Sequence, residues 1–231
     1  MSRTVFSIIL AAVLLALPGN AAAISFEQAL ASPDPTAKYF IYLHGEIIEA
    51  QGKNAVSPRY GAYHYDDIIN YFADRGLVVV EEVRGKVNEH RYAVRVTEEV
   101  RGLMANGVPP ENITVAGFSK GGLIALLVAS SLNQPRVHFV ILAGCARGLR
   151  PSAYTQFLKV KRGARLQGKL LSIYATSDLE AGSCAEAKAQ HTGPGLAFSE
   201  LPLRSKLGHG LFYRALPQWA QPVAAFALIG N

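Results

Sequence analysis

The chain has 231 residues, half of them hydrophobic and only 17% charged. That is the size of one domain, with enough apolar material for a sizeable core. The formal charge of +6 is scattered, apart from Lys159-Val160-Lys161-Arg162, which a solvated helix face explains; this excludes a nucleic-acid-binding surface and leaves at most a mild attraction to anionic surfaces or substrates.

The first residues stand apart from the rest. Met1-Ser2-Arg3 is a short basic start, Val5 to Leu17 is almost continuously apolar, Pro18-Gly19-Asn20 breaks the run, and Ala21-Ala22-Ala23 offers a small-residue cleavage site. This is the layout of a secretory signal peptide. An uncleaved anchor is the alternative, but the apolar core is short for a membrane span. The expectation is an exported protein, periplasmic or secreted, with residues 1–23 as the signal and 24–231 as a single domain that keeps no stable membrane insertion after cleavage. No internal repeat, low-complexity tract or linker divides that domain.

Lys38-Tyr39-Phe40-Ile41-Tyr42-Leu43 reads as a buried strand ending in His44-Gly45-Glu46. Residues 47 to 65, with Gly52, Pro58 and Gly61, read as a long connection carrying Tyr60, Tyr63, His64 and Tyr65; it either walls a pocket, with Tyr60 and Tyr63 as the candidates, or is a surface loop whose aromatics pack locally. Asp66 to Arg75 has helical periodicity on Ile68, Ile69 and Phe72 and stops at Gly76. Leu77 to Val83 is a second buried strand, and Glu89 to Asn106 a charged amphipathic helix closed by Gly107 and Pro109-Pro110.

Ile113 to Ala116 is a β-branched strand, Gly117-Phe118-Ser119-Lys120-Gly121 a sharp turn, and Leu123 to Leu132 an apolar run of helical length. A Gly-x-Ser-x-Gly pentapeptide carries chemical meaning in this strand–turn–helix context. The turn strains the backbone so that the serine stands clear of the sheet at a helix N-terminus, whose free N–H groups can face an anion. Strand and helix pass close there, so the residues two before and two after Ser119 must be small, as Gly117 and Gly121 are. Outside that context, Ser119 would simply cap the helix.

Further apolar strands follow at Val137 to Ala143, Lys169 to Ala175 and Leu196 to Leu203, with a helical stretch over 151–162 and a closing apolar helix from Leu216 to Ile229, interrupted by Pro222. Strands alternating with helices, several of the strands unbroken apolar runs, mean a parallel sheet covered on both faces. Ligands of such sheets bind beyond the carboxyl ends of the strands. Asp178 lies in Thr176-Ser177-Asp178, directly after one strand, and His209 in Gly208-His209-Gly210, after the last.

The chain resembles an α/β-hydrolase in a compact form without a large lid domain, from Tyr39 to the end. The resemblance rests on the pentapeptide and on the chain order nucleophile, acid, histidine: Ser119, Asp178, His209. It implies a three-layer α/β fold, a mostly parallel sheet with helices on both faces. It also implies the roles: His209 takes the Ser119 proton and returns it to the leaving group, while Asp178 holds the imidazole in the right tautomer. Glu180 is the alternative acid; His64, His90, His138 and His191 are poorer bases. The His-Gly pair after the first strand resembles the family's oxyanion loop, which assigns the two donors to the backbone N–H groups of Glu46 and Lys120; His44 is not the base but packs or hydrogen-bonds to shape this loop, and with Gly45 it is also a candidate to border the substrate. Glu46 stands where glycine is common. A carboxylate there opposes the developing charge, so it should point away or hold a substrate group. A glutamate in this loop occurs in some dienelactone-hydrolase-like members, which points weakly to that branch.

Within that fold Cys145 and Cys184 lie past the ends of adjacent strands, and in an exported chain a disulfide between them is expected. No His, Asp or Glu set has metal spacing and no Gly-rich loop resembles a nucleotide site. Acyl-enzyme chemistry needs no cofactor. The expected partner is a small to medium acyl substrate, cleaved at an ester or other acyl bond. An acyltransferase, thioesterase or peptidase on the same fold is the alternative, as is a binding protein that kept the fold without activity.

Overall fold

Six apolar stretches become the strands of one sheet: β1 (Lys38–Leu43), β2 (Leu77–Glu81), β3 (Ile113–Phe118), β4 (His138–Leu142), β5 (Gly168–Ala175) and β6 (Leu196–Leu203). The computed structural model describes residues 23–146 and 152–229; the expected signal peptide, except Ala23, and the first residue of the helix expected over 151–162 lie outside them. The spatial order is β6-β5-β4-β3-β1-β2. All neighbouring strands run parallel. Their carboxyl ends therefore share one edge of the sheet.

Helices α1 (Phe26–Ala31), α2 (Glu46–Gln51), α3 (Tyr65–Ala73), α4 (Glu89–Ala105), α5 (Lys120–Ala129), α6 (Ala153–Lys159), α7 (Ala185–Ala189) and α8 (Pro217–Leu228) cover the two faces. Alternation along β1 separates two cores. Tyr39, Ile41 and Leu43 join the side chains of α1, α4, α5 and α6. Phe40 and Tyr42 join those of α3 and α8. Every residue of α5 from Gly121 to Ala129 is buried. That explains its unbroken apolar reading, since a helix surrounded by protein has no polar face to show. The opposite case is α4, whose buried positions Tyr92, Ala93, Val96, Val100 and Leu103 recur at helical spacing.

The disulfide between Cys145 and Cys184 is present, with the Cα atoms 5.4 Å apart. Beside it Cys145–Ala146 pairs antiparallel with Ala181–Gly182. At the start of the described chain, Ile24 is laid along β2: its N–H donates to the Val79 carbonyl at 2.9 Å and its carbonyl accepts from Glu81 at 3.0 Å.

One expected element differs. Residues 47 to 65 are not an open connection: Glu46–Gln51 forms α2, and Val56–Ser57 pairs with Gly61–Ala62 in a short hairpin. Two turns of helix bounded by Gly52, with a charged residue facing inward, leave too little periodicity to read.

Candidate active site

The backbone reverses direction at Ser119. Its N–H donates to the Leu142 carbonyl at 2.8 Å, tying the turn to β4. Ser119 takes φ 55° and ψ −116°, a conformation that costs a non-glycine residue of the order of 1–3 kcal/mol and is held only by its surroundings. Those surroundings are tight. A Cβ on Gly117 would stand 2.1 Å from the Gly121 carbonyl oxygen, and one on Gly121 would stand 1.9 Å from that of Leu43. The two glycines are thus the condition for β1, β3 and α5 to converge, as their spacing in the sequence implies.

Three side chains meet at this edge. His209 Nε2 lies 2.9 Å from Ser119 Oγ, and His209 Nδ1 lies 2.8 Å from Asp178 Oδ2. With Asp178 ionised, Nδ1–H donates to the carboxylate and Nε2 accepts from the serine hydroxyl. Asp178 is fully buried, and its other oxygen accepts from the N–H groups of Glu180 at 2.8 Å and Ala181 at 3.2 Å. Burial alone would raise its pKa. The hydrogen bond and charge of His209, with the two backbone donors, outweigh that and hold it below the ordinary value.

Glu180, the alternative acid, sits elsewhere. Its Oε2 is 4.0 Å from His209 Nε2, on the serine side of the ring, and its Oε1 accepts from the Tyr60 hydroxyl. Nothing links it to Nδ1, the nitrogen an orienting acid must hold. Among the other histidines, His138 is buried at the start of β4, while His64 bonds Asp67 and His191 bonds the Gly193 carbonyl on the surface.

The backbone N–H groups of Glu46 and Lys120 open α2 and α5. First-turn N–H groups have no acceptor within their own helix. The Glu46 side chain is 73% exposed, with its carboxylate 4.0 Å from Lys120 Nζ. It leans over the rim toward that ammonium.

Two clefts adjoin Ser119 and His209. One, of about 240 Å³, runs past Leu123, Ala146, Ala153 and Tyr154. The other, of about 420 Å³, runs past Ile47, Ala50, Tyr60, Phe118 and Tyr213. Gly45 and Tyr60 line the second, whereas Tyr63 and His44 line neither. Tyr63 is a core residue: it is buried and its hydroxyl bonds that of Tyr42 at 2.6 Å. A phenol whose polar end finds a buried partner has no reason to face solvent. His44 is completely buried under the loop that joins β1 to α2. Its Nδ1 bonds the Gly45 carbonyl at 2.9 Å and its Nε2 accepts from the Arg84 N–H at 3.0 Å. Burial first, then the charge of Arg84, pushes its pKa down to about 3, so the ring is neutral. Both side chains spend their polar atoms inside the protein and away from the two clefts: His44 shapes the loop and Tyr63 packs locally, one of the two roles expected for each.

The sequence reading missed the charged residues beneath the loop. Arg84, Glu49 and the Lys120 side chain form a buried chain of ion pairs: Arg84 Nε–Glu49 Oε1 at 2.8 Å and Lys120 Nζ–Glu49 Oε2 at 2.7 Å. Among the described residues no cluster of three metal-ligating side chains occurs, and no helix is long and apolar enough to cross a membrane.

No family model matches this sequence, and no curated protein matches it. The likeness lies in the fold. SOBER1 of Arabidopsis thaliana superposes with a TM-score of 0.52 at 13% identity, over 83% of this chain and 98% of that one. The esterase Pf2001 of Pyrococcus furiosus gives 0.52 at 17% identity, over 84% and 81%. A 2,6-dihydroxy-pseudo-oxynicotine hydrolase gives 0.51 at 14% identity, over 85% and 61%. The fold is that of the α/β-hydrolases.

Proposed function

We propose that this protein is an exported serine hydrolase that cleaves an ester or other acyl bond of a small to medium substrate through an acyl-Ser119 intermediate. The observation that carries the proposal is the continuous hydrogen-bonded line from Ser119 Oγ through both nitrogens of His209 to Asp178, which starts at a strained turn. The fold relatives, an esterase and a hydrolase among them, support a hydrolytic reaction.

In the first half-reaction the serine hydroxyl passes its proton to His209 Nε2 as Oγ bonds to the acyl carbon. The imidazolium so formed is stabilised by Asp178, which stays ionised. The carbonyl oxygen takes up the electron pair and faces the N–H groups of Glu46 and Lys120, each at the start of a helix whose dipole favours negative charge. Collapse of this intermediate expels the alcohol or other leaving group, which collects the proton from Nε2. Water then repeats the sequence against the acyl-enzyme and releases the acid. The two clefts supply separate room for the acyl chain and the leaving group. No step calls for a metal or an organic cofactor.

The disulfide supports an oxidising compartment. The pairing of Ile24 with β2 supports a mature domain starting at about that residue.

The test is hydrolysis of p-nitrophenyl esters of graded chain length by the purified mature domain and by Ser119→Ala. The proposal expects turnover in the first and none above background in the second. Turnover that survives in Ser119→Ala would refute it.

A further inference from the structure

The two oxyanion donors come from segments more than seventy residues apart in the chain, Glu46 on α2 and Lys120 on α5. Their usefulness depends on a fixed separation, because donors must stand within hydrogen-bond reach of one oxygen that exists only in the transition state. Neither short helix end is capped by a side chain. Something else must hold α2 against α5.

We infer that Glu49 is the positioning residue of the oxyanion site, clamping the first turn of α2 to the lysine that follows the nucleophile. Glu49 lies one turn along α2 from Glu46 and is 1% exposed. One carboxylate oxygen accepts from Lys120 Nζ at 2.7 Å and the other from Arg84 Nε at 2.8 Å. Lys120 Nζ also donates to the Val87 carbonyl at 2.8 Å, so the ammonium is fixed from two sides. Arg84 in turn donates from Nη2 to the His44 carbonyl and from its backbone N–H to His44 Nε2, gripping the residue just before the oxyanion loop. Glu46 and Glu89 stand farther from the ammonium, at 4.0 and 3.9 Å, and are more exposed. Glu49 is therefore, among the described residues, the carboxylate shared by both cations. Breaking a buried pair by removing a partner is costly, so this carboxylate is strongly held in place.

The role rests on the serine-hydrolase reading of the site, and wild-type turnover that depends on Ser119 is the entry condition for its test. Position and charge predict opposite signs for one substitution. A negative charge near a developing oxyanion opposes it, so Glu49→Gln would raise kcat if the network acted only through its field. If Glu49 acts by holding α2 in place, Glu49→Gln lowers kcat, since the amide keeps one acceptor and turns N–H donors on a cation. Lys120→Met releases the same clamp from its other end and also lowers kcat. A misplacement near 1 Å is worth about 10²-fold, so each variant should lose about 10- to 100-fold in kcat. KM should stay within about twofold. The direct readout is binding of a trifluoromethyl ketone whose adduct carries the tetrahedral oxyanion. Its affinity should fall by the same factor as kcat.

Circular dichroism and melting curves separate this from loss of fold. Should Glu49→Gln fail to fold, Lys120→Met decides alone, because Glu49 keeps its ion pair with Arg84 there and methionine is close to lysine in volume. A folded variant with wild-type kcat and wild-type ketone affinity overturns the inference. So does a rise of kcat in Glu49→Gln. An inactive wild type refutes the hydrolase proposal and leaves the clamp with nothing to position.

Discussion

Removing the disulfide should damage catalysis through a traceable line of contacts. Cys184 is joined to Cys145, and the ribbon beside the bridge pairs Ala146 with Ala181. Ala181 and Glu180 donate their N–H groups to Asp178 Oδ1, and Asp178 Oδ2 holds His209. The perturbation is the double substitution Cys145→Ala with Cys184→Ala, which avoids putting hydroxyls into a buried site. The bridge spans 39 residues of sequence. The loop-closure relation gives about 4 kcal/mol of stabilisation for a loop of that length. For a domain of roughly 200 residues, about 2–4 °C of melting temperature accompanies each kcal/mol, so the midpoint should drop by roughly 10 °C. The catalytic effect is separate: an orienting acid with one loosened anchor lowers kcat by roughly tenfold, with KM unchanged. Thermal melting followed by ester kinetics at a temperature where both proteins are folded reads the two effects. A midpoint within about 2 °C of wild type, together with an unchanged kcat, refutes the tether.

Other perturbations separate the remaining elements. Asp178→Asn should lower kcat about 10⁴-fold while the protein stays folded, because asparagine favours the wrong imidazole tautomer; Glu180→Gln should lose far less, and the reverse ranking would reassign the acid. Gly121→Ala brings a methyl to 1.9 Å from the Leu43 carbonyl oxygen, a contact that backbone must relieve, so soluble folded protein should be lost; a wild-type melting curve contradicts the elbow packing. His44, depressed to about 3 in the folded protein and ordinary when unfolded, takes up its proton first in the unfolded state as pH falls below about 6.5. Stability should therefore decline from about pH 6.5 downward, with His138, pushed by burial to about 4, adding in the same direction. Replacing His44 with the non-titrating Asn should flatten the melting-temperature profile between pH 6.5 and 4.5, and an unchanged slope would show that other groups set it. The depressed Asp178 carboxyl gives stability that is present above about 3.9 and lost only at lower pH, so it does not confuse that window.

The sheet was legible because five of its six strands are largely buried and read as near-continuous apolar runs; only β6, at one edge, has no buried position and mixes half-buried with exposed ones. The meeting of Ser119, Asp178 and His209 was legible for a related reason. Parallel strands put their carboxyl ends on one edge, so residues just after three strands converge however far apart they lie in sequence. The charged clamp was not legible. Glu49 in a six-residue helix and Arg84 after β2 have the composition of surface residues, and only the partner that each finds from a distant segment makes burial tolerable. Tyr63 and His44 left two readings open, a ligand contact or internal packing. Both are polar enough to suggest a ligand, and both spend that polarity inside the protein, on Tyr42 and on Arg84.

The most direct test of the central claim is labelling with a fluorophosphonate followed by peptide mass mapping. The serine-hydrolase account predicts one equivalent of phosphonate per chain, on the peptide that contains Ser119, and none in Ser119→Ala. No adduct on folded wild-type protein, or an adduct that maps to another residue and persists in Ser119→Ala, would contradict it.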